Sequence, residues 1–361
     1  MKAAIHEHIG RPLSVEEVAL REPGPGEVVI EMRAAAVCIT DVIATDGITM
    51  VPTPFIPGHA GTGVVIAVGP GVERTPVGSR VSTAGSAQCG VCYPCVHDTP
   101  SSCEDIFGGM VPPREVATRQ DGTPVNADGG VGVFAERMVI RESGLAIIDS
   151  TITDAQAALL GCGVISGVGA VVNIAQVRPG ATVAVVGCGH LGLWIIQAAA
   201  LVGAKRIIAV ETDHERRALA LELGATHAVN PTDGDPVAQV ADLTGGRGAD
   251  YSFEAGGTTR GSRQAVAMAR GGGIVVTTSM AHPTGKIELD ALDFGVSGKH
   301  IRSSQSGGGN LKRDIPAFAN LVETGRLATD SIISRTFALG EVNDALDAAR
   351  HRKVITGVID F

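Results

Sequence analysis

Aromatic side chains are scarce: they supply 3% of the 361 residues, with one tryptophan and two tyrosines, so a core must be assembled from Val, Ile, Leu and Ala. Positive charge is also in deficit. Against 38 Asp and Glu stand 29 Lys and Arg, a net charge of −9, which disfavours nucleic acid and anionic membrane surfaces as partners. Membrane-spanning runs are not expected either. Stretches such as LWIIQAAALVGA are too short to cross a bilayer, and the N-terminal MKAAIHEHIGRPL lacks the continuous apolar core of a signal peptide. Cytoplasmic residence without membrane attachment is therefore the expectation. Internal repeats and low-complexity segments do not occur. What is abundant is glycine, at 48 residues, in a chain that is 44% hydrophobic and long enough for two domains.

Seven cysteines, an odd number in so long a chain, do not suit a small secreted scaffold stapled by disulfides. Four of them, Cys89, Cys92, Cys95 and Cys103, read C-x2-C-x2-C-x7-C within AQCGVCYPCVHDTPSSC. That spacing lets one irregular lobe, 89–103, wrap four thiolates around a tetrahedral cation with no open position, the signature of a structural zinc. An iron–sulfur cluster could use similar spacing, but nothing further along the chain suggests electron transfer.

Up to about residue 150 the chain alternates short β-branched runs with Gly and Pro punctuation: GEVVIEMRAAAV, GTGVVIAVGPGV, GSRVSTAG and FAERMVI. This predicts an irregular β-rich domain. From Ala181 the rhythm becomes strand, turn, helix: ATVAVVG, HLGLWIIQAAALVG, RIIAVE, HERRALALELG, THAVN, DYSFEAG and GGIVVTTS. Regular alternation of that kind predicts a doubly wound parallel sheet, so the fold class is α/β. The rhythm breaks near residue 303, where the chain is expected to return to the first domain. The expected division is 1–165 with 303–361, and 166–302 inserted between them.

Within the sheet segment, Gly187-Cys188-Gly189-His190-Leu191-Gly192 follows the strand VAVV and opens a helix. Glycines there let backbone approach a pyrophosphate at a helix N-terminus, where free N–H groups and the helix dipole favour an anion. Glu211 comes nineteen residues after Gly192. A carboxylate there would accept from the adenosine ribose hydroxyls and repel a 2′-phosphate, so NAD is expected rather than NADP. Arg216 is a candidate to cover the adenosine ribose.

Taken in order, Cys38-Ile39-Thr40-Asp41, Gly58-His59 with Gly61 and Gly63, the four-cysteine lobe, Leu160-Gly161-Cys162-Gly163, and the GCGHLG loop with Glu211 resemble the zinc-containing alcohol dehydrogenases of the medium-chain dehydrogenase/reductase superfamily. The resemblance covers essentially the whole chain. LLGCGVISGVGAVVN and KRIIAVETD also look like the glutathione- or mycothiol-linked formaldehyde and aryl-alcohol branches, without assigning a thiol cosubstrate. The resemblance implies a GroES-like catalytic domain, a Rossmann cofactor domain, NAD, two zinc ions per chain, and a homodimer or homotetramer. It implies a catalytic zinc on Cys38, His59 and Cys162. Two thiolates and an imidazole leave a neutral centre with one open position, where an alcohol loses its proton more readily than in water. Thr40 would handle that proton, and Asp41 would fix the His59 tautomer.

Departures from the family pattern are equally informative. Ala60 stands where G-H-E has glutamate, and Thr356 replaces the arginine that usually pairs with it. Losing both charges strands neither partner, so the double change is a coherent redesign. With Ile39 in place of a cation, it predicts weaker NAD binding, which His190 would partly offset. Ile43 replaces a relay histidine, and Gly85 an aromatic pocket wall. A bulky or apolar alcohol is therefore expected, with Phe107, Met110 and Phe134 as candidate pocket residues. The expected activity is hydride transfer between an alcohol and NAD, giving an aldehyde or ketone. A lyase on the same scaffold, such as a hydroxynitrile lyase, and a catalytically silent NAD-binding protein are the alternatives.

Overall fold

A computed structural model describes residues 1–48, 51–105, 114–280 and 284–361. The chain forms two compact units. One comprises Met1–Ile165, Asn310–Gly325 and Thr329–Phe361, and the other Ser166–Gly309 and Arg326–Ala328. The second unit runs past the expected break at 303, through the His300–Ser303 strand to Gly309.

The first unit is organised by Glu27–Val37, whose sequence EVVIEMRAAAV is buried at nearly every position. A strand covered on both faces needs apolar residues without alternation, and this run supplies them. Gly61–Val68, Arg137–Arg141 and the C-terminal Thr356–Asp360 all pair with it antiparallel. Arg80–Thr83 and Leu145–Ile147 extend the sheet on one side, and Ile333–Ala338 on the other. A smaller sheet orders Ala19–Leu20, Arg114–Thr118, Pro124–Ala127 and Phe55–Ile56. In its last, parallel pair Ile56 faces Ala127.

Phe134 is fully enclosed in the core of this unit, among Met32, Val133 and Ile140. Packing accounts for it, which removes it from the candidate pocket. Phe107 and Met110 lie outside the described residues. Met32 and Ile30 come from the organising strand, so the scarce aromatics are supplemented by long aliphatic side chains.

The second unit holds six parallel strands in the order His227–Val229, Arg206–Val210, Thr182–Val186, Ala249–Glu254, Ala269–Thr277 and His300–Ser303. Helices His190–Leu201, His214–Glu222, Pro236–Leu243, Thr259–Met268 and Ala291–Ser297 alternate with them. Asp213, Asp235, Thr258 and Asp290 each accept a backbone N–H at a helix start, which is why these polar residues punctuate the apolar runs. Trp194, in the first of those helices, is fully buried.

The helical stretch Asp154–Ala175 spans 22 residues and is apolar enough to cross a membrane by length and composition. Its glycines and Asn173 dilute the apolar pattern in sequence. Of its most apolar window, 72% is buried within the protein, which is how a core helix passes the same test.

Glu27 is the hub of an ion-pair cluster. It accepts from Arg21 (2.5 Å), Arg114 and the Gly24 N–H (2.8 Å), while its own side chain is only 11% exposed. Burial alone would raise the pKa, but the hydrogen bonds and the two guanidinium charges bring it down to about 2. The sign follows: this contribution to stability is complete above the ordinary carboxylate range and disappears as pH falls towards 2. Glu27→Gln should therefore destabilise the first unit by about 1–3 kcal/mol at neutral pH, and by much less near pH 2. Denaturant midpoints of wild type and variant across pH check this; a gap that does not narrow in acid removes the cluster's role.

Candidate metal centres and nucleotide loop

Three distant segments converge in the first unit. Cys38 sits immediately before the helix Ile39–Thr45, His59 follows Gly58 on the approach to the Gly61–Val68 strand, and Cys162 lies in the π-helical turn Leu160–Val164. Gly161 makes the last placement possible. A Cβ there would meet the Thr83 carbonyl oxygen at 1.8 Å, so only glycine lets this turn lie against the Arg80–Thr83 strand.

The Cys38 and Cys162 sulfurs are 3.8 Å apart, and His59 Nε2 is 3.2 Å from Cys162 Sγ. Tetrahedral zinc would set S···S near 3.8 Å and N···S near 3.6 Å, roughly as found. A disulfide is excluded, because it would need about 2.05 Å. Asp41, fully buried, accepts from His59 Nδ1 (2.7 Å) through one oxygen and from the Cys38 N–H (2.8 Å) through the other. The carboxylate thereby directs Nε2 towards the sulfurs. The Thr40 hydroxyl is half-buried and 3.6 Å from Cys38 Sγ.

The electrostatics also ask for a cation. A hydrogen bond with Cys38, burial and the Cys38 charge push the Cys162 thiol well up. Burial works against a charged His59, yet the charges and hydrogen bonds of Asp41 and Cys162 raise its pKa well above the ordinary value. A divalent ion reverses the thiol's preference and holds the imidazole neutral, so this donor set fits zinc.

The quartet is likewise closed. All four sulfurs lie within 4.8 Å of one another, with Cys89–Cys95 at 4.0 Å and Cys92–Cys103 at 3.9 Å. Backbone N–H groups of Cys89 and Cys92 point at Cys103 Sγ and Cys89 Sγ (both 3.3 Å), the donors that thiolates use when they bind metal.

In the second unit, Gly187 follows the Thr182–Val186 strand, and Gly189 precedes the helix opened by His190, Leu191 and Gly192. A Cβ on Gly192 would lie 1.9 Å from the Gly187 carbonyl oxygen, whereas at Gly189 the nearest atom is an Arg216 guanidinium nitrogen at 3.6 Å. The loop is thus tightly closed behind and open to an anion in front, with a cation beside it; these residues fit a dinucleotide pyrophosphate. Glu211 Oε1 accepts from the Thr212 (2.7 Å) and Asp213 (3.1 Å) N–H groups, while Oε2, among the described residues, accepts from the Cys188 N–H (2.8 Å). Capacity for a ribose hydroxyl therefore remains on Oε2. Cys188, the seventh cysteine, is buried and has its pKa raised by burial and by Glu211, so it is an inert packing thiol.

Sequence reasoning missed Glu254, which is buried and accepts from the Gly256 (2.9 Å) and Gly257 (2.8 Å) N–H groups beside the nucleotide loop. A strand-ending Glu before Gly-Gly was the available signal. The Cβ of a residue at 187 would meet Gly256 at 2.7 Å, so Glu254 fixes a turn on which the nucleotide loop rests.

A GroES-like β unit with a doubly wound parallel-sheet unit defines the two-domain architecture of nucleotide-linked dehydrogenases. Comparisons agree. Residues 24–150 match the model for the alcohol dehydrogenase GroES-like domain, and 191–324 that for zinc-binding dehydrogenase. The NDMA-dependent alcohol dehydrogenase of Amycolatopsis methanolica is 33% identical over 364 residues, covering 99% of this chain and 98% of that protein. The class-3 alcohol dehydrogenase of Cereibacter sphaeroides is 32% identical over 374 residues, covering 100% and 99%. The crystal structure of benzyl alcohol dehydrogenase from Acinetobacter calcoaceticus superposes with a TM-score of 0.92 at 28% identity, covering 100% of this chain and 99% of that one. The chain belongs to the zinc-containing alcohol dehydrogenase family of the medium-chain dehydrogenase/reductase superfamily.

Asp41→Asn keeps the shape but loses the charge that orients His59. Zinc affinity at Cys38, His59 and Cys162 should fall tenfold to hundredfold, with the cysteine quartet unaffected. Competition with a chromophoric chelator reads both classes of site; unchanged affinity at the three-residue centre would remove the orienting role.

Proposed function

We propose that this protein is a zinc- and NAD-dependent dehydrogenase that interconverts an alcohol and its aldehyde or ketone. The observation that carries the reading is the convergence of Cys38, His59 and Cys162 beside a half-buried Thr40 hydroxyl. When bound, zinc supplies a Lewis acid to the alcohol oxygen and NAD accepts the hydride. Such a reaction would take a hydride from the substrate C–H bond to the nicotinamide and a proton from the O–H group, and this chain's residues would hold the metal and move the proton. Cys38, His59 and Cys162 hold the metal, and Asp41 keeps the imidazole in the competent tautomer. Thr40 would take up the departing proton while passing its own hydroxyl proton onward. Ile43 has no donor or acceptor on its side chain, so the onward route does not use position 43.

The cysteine quartet is proposed to hold a second, structural zinc. Glu211 supports NAD over NADP by repelling a 2′-phosphate. Ala60 and Thr356 are both fully buried, so the missing charge pair leaves no stranded ion, while Ile39 is half-exposed and uncharged. Weaker NAD binding follows. Gly85 lies against His59, whose Cβ is 3.1 Å from the position a Cβ would take. The lack of a side chain there supports an alcohol larger than ethanol.

A homodimer is proposed as the assembly. His300–Ser303 is an edge strand exposed at every position, and Leu292 and Val296 nearby are each 76% exposed. An open apolar edge is a template for a second copy. Light scattering should give twice the chain mass, and Ile301→Lys with Val296→Lys should return it to the monomer value. A wild-type monomer at micromolar concentration overturns the assembly.

The activity itself is checked by following NADH formation with a panel of primary, secondary and aromatic alcohols. NAD should be preferred over NADP, and Cys38→Ser should lose at least a thousandfold in kcat. Ala60→Glu with Thr356→Arg should lower the KM for NAD. Two bound zincs without NADH from any alcohol would instead favour a lyase or a silent protein.

A further inference from the structure

Beside the proposed centre lies a carboxylate that the chemistry above does not use. Asp128 opens the short turn Asp128–Gly130, directly after the Pro124–Ala127 strand. Because Ala127 pairs with Ile56, and because the Gly132 (3.0 Å) and Val133 (3.1 Å) N–H groups both donate to the Gly58 carbonyl, the backbone around Asp128 is bound to the segment that carries His59.

That binding is done by the backbone alone. The turn closes through the Val131 N–H and the Asp128 carbonyl (2.9 Å), and the side chain caps nothing. Among the described residues the Asp128 carboxylate has no hydrogen bond and no ion pair, although it is partly buried. Burial and the negative charge of Asp41 push its pKa up to about 6, against a smaller pull from His59, so it lies within electrostatic reach of both. A partly buried acid that supports no structure is costly to keep unless something else bonds to it. Its partial exposure leaves it open to a small molecule.

We propose that Asp128 is a specificity-determining residue, whose carboxylate accepts a hydrogen bond from a second donor on the alcohol, a hydroxyl or an ammonium group a few bonds from the reacting carbon. This rests on the dehydrogenase reading. It makes the preferred substrate a polar, bifunctional alcohol rather than a purely apolar one. A plain alkanol of the same length would leave the acid unbonded, and a carboxylate-bearing alcohol would be repelled. Discrimination comes from the charge-assisted hydrogen bond that a matched alcohol makes and a plain alkanol cannot, at a carboxylate already partly withdrawn from water.

The test compares wild type with Asp128→Asn and Asp128→Leu on matched substrates: 1-hexanol, α,ω-diols from propanediol to hexanediol, and 6-amino-1-hexanol. Wild type should favour at least one diol or the amino alcohol over 1-hexanol by roughly tenfold to hundredfold in kcat/KM, mainly through KM. Asp128→Leu should abolish that ratio while 1-hexanol is used as well or better, and Asp128→Asn should keep part of the diol preference but lose that for the amino alcohol. Because the side chain holds no structure, both variants should retain wild-type zinc content and thermal midpoint. NADH formation with a ratio unchanged by substitution overturns the assignment alone, as does an equal loss on every alcohol, which would mark a supporting role at the centre. No NADH from any alcohol overturns the dehydrogenase reading and this one with it.

Discussion

One carboxylate ties the candidate centre together. Through its two oxygens Asp41 holds the imidazole of His59 and the backbone of Cys38, so two ligands from separate segments are registered against each other before any ion arrives. Desolvating that acid is expensive, and burial indeed raises its pKa. The cost is offset only if both bonds form together. The third ligand depends on a different constraint, the close approach that glycine at position 161 permits. The site is thus preorganised by one charged hydrogen-bond pair and one steric allowance, and neither involves the metal.

The second unit uses the same logic with backbone in place of side chains. Glu211 and Glu254 end adjacent regions of the parallel sheet and accept N–H groups from the turns beyond them. The glycine loop is supported from beneath by a carboxylate on either flank, which leaves its front free for an anion. Acids so close to an anion site are held in their charged form by neighbouring N–H donors.

Much of this was legible in the chain. Cysteine spacing announces the quartet because ligand geometry is short-range, and GCGHLG is readable because the glycines, strand and helix sit side by side in sequence. Alternating apolar runs gave the parallel sheet for the same reason. What resisted reading depends on long-range meetings. Nothing local shows that Glu27 gathers Arg21 and Arg114, since the second lies 87 residues away. Phe134 suited a pocket or the core equally well in sequence and is core, because it sits in a bend whose burial no periodic pattern shows. The apolar helix 154–175 escaped notice for a compositional reason, and Asp128 because a turn aspartate is ordinarily a solvated one.

The single tryptophan has an optical consequence. Trp194 is enclosed in the second unit, with its indole N–H unbonded, and no other tryptophan exists to obscure it. Its emission is therefore a private channel for the cofactor-type domain, blue-shifted while that domain is intact. Of the two tyrosines, Tyr93 stands on the cysteine lobe and Tyr251 in the parallel sheet. Spectroscopy can consequently follow the melting of the parallel-sheet unit with no label introduced.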